Sequence, residues 1–178
     1  MNFYVRLFNL YLLLTAVLLA GCESEKHKQD KLVSALRVHV ESKTDVANDL
    51  GTTTTISLIR NAPVTVTVNR TPILSEDDIG AAAVMATPGG FAVEVQFNSM
   101  GTLTLEQFTA ANPGKHLVIF AQWGEKGADG RWIAAPLITH RIANGLLAFT
   151  PDLSRKDSDR LVLGLNNIAK KNSKGAMK

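Results

Sequence analysis

The chain opens with a largely apolar stretch, LFNLYLLLTAVLLAG at residues 7–21, preceded by the single charge of Arg6. That length suits the apolar region of an export signal and falls short of the roughly 20 residues a membrane-spanning helix needs. Residues 23–35 (ESEKHKQDKLVSA) show no apolar period until their end and read as a tether. Thirteen flexible residues would span about 20 Å root-mean-square. The pattern then becomes that of strands. Leu36, Val38 and Val40 alternate with Arg37, His39 and Glu41. Thr52 to Arg60 is β-branched, and Val64, Val66 and Val68 alternate with Thr65, Thr67 and Asn69. Their connections are too short for helical crossovers, so three neighbouring antiparallel strands are expected over 36–70.

Ser75-Glu76-Asp77-Asp78 has the form of a capping box, and Ile79, Ala82, Ala83 and Ala86 follow at helical spacing. The pattern predicts a helix closed by Pro88-Gly89-Gly90. Phe91, Val93, Val95 and Phe97 alternate with Ala92, Glu94, Gln96 and Asn98, the clearest amphipathic strand of the chain. A second capping-box pattern, Thr104 to Gln107, predicts a short helix stopped by Asn112-Pro113-Gly114. His116 to Trp123 is nearly continuous in apolar residues, as in a central strand covered on both faces. The GEKGADG loop at 124–130 leads back through Arg131-Trp132-Ile133 towards Ile138, which predicts a hairpin. Leu146 to Phe149 is a further strand. Ser154 to Asp157 starts a last helix with Leu161, Val162, Leu165, Ile168 and Ala169 along one stripe. Residues 172–178 read as a disordered tail. The fold class is α+β: a mixed or antiparallel sheet with helices mainly on one face, preceded by an N-terminal β segment.

Composition changes this picture little, but charge placement excludes one class. Of 178 residues 46% are hydrophobic and 20% charged, the balance of a globular protein. The net charge of +3 suggests a nucleic-acid partner until it is located. Removing Arg6 and the tail lysines 170, 171, 174 and 178 leaves −2 over residues 22–169, so no nucleic-acid partner is expected.

Cys22 is the sole cysteine and follows Leu19-Ala20-Gly21. No internal disulfide or thiolate cluster can form. The segment resembles the bacterial lipobox, which implies cleavage after residue 21, a diacylglycerol on the Cys22 sulfur and an acyl group on its freed amine. Two or three chains at about 0.8 kcal/mol per buried methylene anchor stably to a bilayer. Glu23 stands where an aspartate would retain a lipoprotein at the inner membrane, so either membrane is open.

Catalytic chemistry is not evident. His27, His39, His116 and His140 lack metal-ligand spacing, and neither Gly-x-Ser-x-Gly nor Ser-x-x-Lys occurs. Glycines 124, 127 and 130 lead into a strand rather than a helix, unlike a phosphate loop. No catalytic residue, metal site or cofactor is expected. Trp123 and Trp132 flank the 124–130 loop and either form an aromatic patch for a peptide or close the hairpin or cap the core. Pro136 lies in a strand-like run where its missing N–H suits a sheet edge. Trp123, Arg131, Trp132 and Pro136 are the candidate binding residues.

From Pro72 onward the order of elements resembles the head subdomain in the first periplasmic domain of SecD. The resemblance is carried by Pro72, Ser75 to Ile79, the strand Phe91–Phe97, Gly101, Phe108-Thr109, Asn112 and Gly114-Lys115. It continues through Ala135 to Ile138, Ile142, Gly145 and the last helix. SecD itself has six transmembrane helices, and no apolar stretch after Cys22 could span a bilayer. The resemblance therefore implies a head-like fold over 71–171, no enzymatic activity and contact with an exported polypeptide. The expected protein is a membrane-tethered binding module facing the periplasm or cell exterior. The alternative is a structural or assembly subunit of an envelope complex.

Overall fold

The computed structural model describes residues 32–42, 53–58, 64–124 and 127–175, and these described residues belong to one compact unit. The expected export signal, Cys22 and most of the expected tether lie outside the described residues. The strands are β1 (Ala35–Val40), β2 (Thr53–Leu58), β3 (Val64–Asn69), β4 (Ile79–Thr87), β5 (Gly90–Phe97), β6 (Leu117–Trp123), β7 (Asp129–Ala134) and β8 (Leu146–Phe149). The helices are α1 (Ser99–Ala111) and α2 (Arg155–Gly175), and a 3-10 turn spans Glu76–Asp78. Two antiparallel three-stranded sheets, ordered β1-β6-β7 and β4-β5-β8, and the β2-β3 hairpin make up the α+β architecture.

The apolar run of 117–123 is central for the expected reason. Its alternate residues Leu117, Ile119, Ala121 and Trp123 enter the main core, while Val118 faces a second, smaller cluster. A strand buried on both faces needs two neighbours to pair its backbone. One is β7, and the other is β1, with Val38 opposite Ile119. This corrects the expected meander. β2 and β3 do pair with each other, but β1 runs beside β6, and the chain just past β1 joins β3 at the isolated bridge Glu41–Val68.

The helix expected after Ser75 is absent. The Asp78 carboxylate accepts the Ser75 N–H at 2.8 Å as in a capping box, yet this closes only the 3-10 turn. Residues 79–87 then extend as β4, and Pro88-Gly89 becomes a two-residue turn placing Thr87 opposite Gly90. Proline at the first central position and Gly89 at φ 88° at the second form the type II arrangement. Helix propensity of the alanines loses to strand pairing because β5 would otherwise keep an open edge. The helix expected from Thr104 starts at Ser99 instead, where the Asn98 side chain accepts the Gly101 N–H at 2.9 Å.

Helix α2 carries the expected stripe, with Leu161 and Leu165 wholly buried in the core. Ser154 caps it, its Oγ accepting the Asp157 N–H at 3.1 Å. It continues to Gly175, so residues 172–175 are helical and not tail. At the other chain end, Ser34 is buried and Asn167 Nδ2 donates to the Leu32 carbonyl at 3.0 Å, so the supposed tether stops short of residue 32.

Gly164 makes this docking possible. A Cβ there would lie 2.7 Å from the Ser34 amide nitrogen and 2.8 Å from its Cβ. Gly164→Ala should gain about 1 kcal/mol of helix propensity yet destabilise by about 1–3 kcal/mol overall through overpacking. A lowered urea midpoint would show it.

Candidate polypeptide-binding site

The four residues singled out in the sequence do not converge. Trp123 is 5% exposed and packs in the main core. Trp132 sits opposite Phe120, whose ring it meets edge-on at 5.3 Å between centroids. Phe120 and Trp123 are three apart on one strand, so their side chains leave opposite faces. The two tryptophans are therefore separated by the sheet, and Trp132 packs half-buried against the β2-β3 cluster. Arg131 is exposed, and its guanidinium donates to the Asp152 carbonyl. Pro136 follows the end of β7, where its carbonyl accepts the Leu117 N–H at 2.9 Å.

The strand edges are partly occupied. Along β1, the Val38 N–H donates to the Leu74 carbonyl at 2.9 Å and the Val38 carbonyl accepts from Ile73. On β7, the Ile133 carbonyl accepts the Asp152 N–H at 2.7 Å. On β4, Asn166 exchanges two hydrogen bonds with Ala82, each 2.9 Å. These contacts leave little room for an added strand at those positions.

A different surface is assembled by α1 and the segment 138–145 beside it. The Ile138 carbonyl accepts from Gly114 at 2.9 Å, just past the C-terminus of α1. The Ile142 N–H donates to Thr109 Oγ1, and the Gly145 carbonyl accepts from Phe97 near the N-terminus. The segment thus runs antiparallel to the helix as a strap. Thr109 is the hinge of this contact, since its hydroxyl also donates to the Leu105 carbonyl at 2.8 Å. Between helix and strap lies a groove of about 400 Å³ lined by Leu103, Glu106, Gln107, Ala110 and Arg141. An Arg141–Glu106 ion pair bridges it.

Met100 and Leu103 are 70% and 61% exposed, large values for apolar side chains. With Gln107 and Ala110 they recur at helical spacing along the outer face. Their counterparts Leu105 and Thr109 point into the core. An outward ridge of Met and Leu beside a groove whose charges neutralise each other suits apolar peptide side chains, and the unbranched Met adapts to varied ones. The sequence concealed this ridge because the Thr104 box hid the first turn of α1. Among the described residues, no group of three or more His, Cys, Asp or Glu is placed to hold a metal ion. No helix among them is long and apolar enough to cross a membrane.

Comparison with known proteins gives a consistent assignment. No curated protein sequence matches. A structure described as "Structure and function of a membrane component SecDF that enhances protein export" matches with TM-score 0.53 and 20% identity, over 82% of this chain and 67% of that one. A crystal structure of SecDF in a super-membrane-facing form also gives TM-score 0.53, at 22% identity, over 82% of this chain and 20% of that chain. The chain thus spans about a fifth of the latter. At these identities the likeness is one of fold. The family model of the SecDF P1 head subdomain matches residues 36–169, so β1 and the β2-β3 hairpin fall within the match, and the chain belongs to the SecDF P1 head subdomain family.

Proposed function

We propose that this protein is a non-enzymatic envelope module, tethered to a membrane through Cys22, that holds an exported polypeptide or envelope protein in the groove between α1 and its strap. The observation that carries this reading is the ridge of Met100 and Leu103, exposed on a head-family fold whose other large apolar side chains are mostly buried. The diacylglycerol and N-acyl group on Cys22 would hold the head on the periplasmic or outer side of its membrane, and intact-mass measurement of the native protein tests the anchor. Occupied strand edges favour recognition through side chains over strand addition.

Leu103→Asp tests the groove. Burying a leucine side chain is worth about 1.5–3 kcal/mol, so the variant should bind a reduced, alkylated and permanently unfolded polypeptide about tenfold or more weaker. Its urea midpoint should hardly move, since the position is exposed. Equal binding by both proteins, or none by the wild type, refutes the reading. The occupied edges also suit the structural alternative, a folded partner recognised on a flat face; capture of one stoichiometric partner by cross-linking, with no affinity for unfolded chains, would establish it.

A further inference from the structure

The β2-β3 hairpin lies over a surface that the groove does not use. Ile56, Leu58, Val66 and Val68 from the hairpin pack on Val118, with Trp132 beside them. His39 sits at this junction, 6% exposed. Its Nδ1–H donates to the Asn69 carbonyl at the end of β3, 2.7 Å away. Its ring meets that of Trp132 edge-on, with centroids 5.1 Å apart, and Trp132 in turn meets Phe120. One imidazole therefore links β1, β3 and β7. The chain between β1 and the hairpin is tied to β3 at the Glu41–Val68 bridge, where the Ser42 N–H donates to the Thr67 carbonyl at 2.8 Å. A two-stranded hairpin is at best marginally stable alone, so releasing it from the sheet means unfolding it.

We infer that the hairpin is an acid-released cover, with His39 as its trigger and the Phe120–Trp132 surface beneath it. The neutral ring is what this junction accepts. The groups facing it are the Asn69 carbonyl from β3, the Trp132 ring from β7, and Arg37 and Glu41 from its own strand. Arg37 opposes a second positive charge. The Glu41 carboxylate is engaged by the His116 backbone N–H at 2.9 Å and ring Nδ1 at 2.7 Å, and so is committed elsewhere. Burial, with Arg37 adding to it, holds the His39 pKa below its ordinary 6.5 despite the opposing hydrogen bond to Asn69. The released state binds the proton more tightly than the docked one. Docking is thus fully favoured above pH 6.5 and weakens as pH falls from there through the lowered pKa.

Hydrogen exchange of the full chain between pH 7.5 and 5.0, corrected for intrinsic rates, reads this directly. Amides of 53–58 and 64–69 should exchange faster at the lower pH, by up to about tenfold for each unit by which docking lowers the His39 pKa. Amides of β5 should not follow. His39→Gln should abolish the response, and His116→Gln should retain it. The imidazole's own titration, followed by NMR in the wild type, should share its midpoint with the exchange change, which keeps the inference testable if His39→Gln folds poorly. It is overturned by a response that is absent, spreads equally to β5, survives in His39→Gln, disappears in His116→Gln, or has a midpoint apart from that of the ring. Binding at the groove is a separate readout, so its failure in Leu103→Asp leaves this inference standing.

Discussion

Leu165→Ala is expected to lower the unfolding free energy by about 2–5 kcal/mol. Leu165 is wholly buried on α2 and belongs to the one core that β1, β5, β6, β8 and both helices share. Removing its isopropyl group forfeits the transfer free energy of three carbons and leaves a cavity. The walls cannot collapse readily, because central β6 is fixed by ladders on both sides. Against a typical total of about 5–15 kcal/mol the loss is large. Urea denaturation should show a lower midpoint with an unchanged slope. Ile168→Ala, at a half-buried position on the same helix, serves as an internal comparison and should cost less. A loss below about 1 kcal/mol for Leu165 would mean that α2 does not close the core.

The second large effect is expected at Asn166. Its Oδ1 accepts the Ala82 N–H and its Nδ2 donates to the Ala82 carbonyl, so one side-chain amide supplies the two bonds a neighbouring strand would make. Asn166→Ala orphans both backbone groups. At about 1–3 kcal/mol per unsatisfied group, moderated by partial exposure, the loss should be about 2–4 kcal/mol. Asn166→Asp keeps the acceptor but sets a carboxylate against the Ala82 carbonyl, and rescue should be incomplete. Asn166→Ala should also self-associate at high concentration, since Ile79–Thr87 carries no charged side chain to discourage pairing at its freed edge. Light scattering alongside urea titration reads both consequences. Unchanged stability would show that water replaces the amide without loss.

The two predictions concern residues whose importance differs in how far the chain announces it. Leu165 stands in an apolar stripe of period 3.6 and is recognisable as core before any coordinates. Asn166, one residue further on, looks like any polar position on the outer side of a helix. Its partner Ala82 is 84 residues away in sequence. The same contrast runs through the candidate site. Trp123 and Trp132 attract notice as rare residues flanking one loop, yet they serve opposite faces of a sheet. Met100 and Leu103 are common residues and matter because nothing among the described residues covers them.

Local patterning was sufficient wherever one face of an element meets apolar surroundings and the other meets water. It located β1, β3, β5, β6, β8 and the stripe of α2, and with them the α+β class and the order of elements that resembles the SecD head. The requirement is a simple one: burial must repeat with the period of the backbone, so the period is written in the residues. Pairing between distant segments leaves no such trace. The insertion of β6 between β1 and β7, the extension of Ala-rich β4 against helix propensity, and the strap along α1 each arise from backbone groups and surfaces satisfied across long separations. Those choices rest on which partners the folded chain brings within a few ångströms, and no window of neighbouring residues contains them.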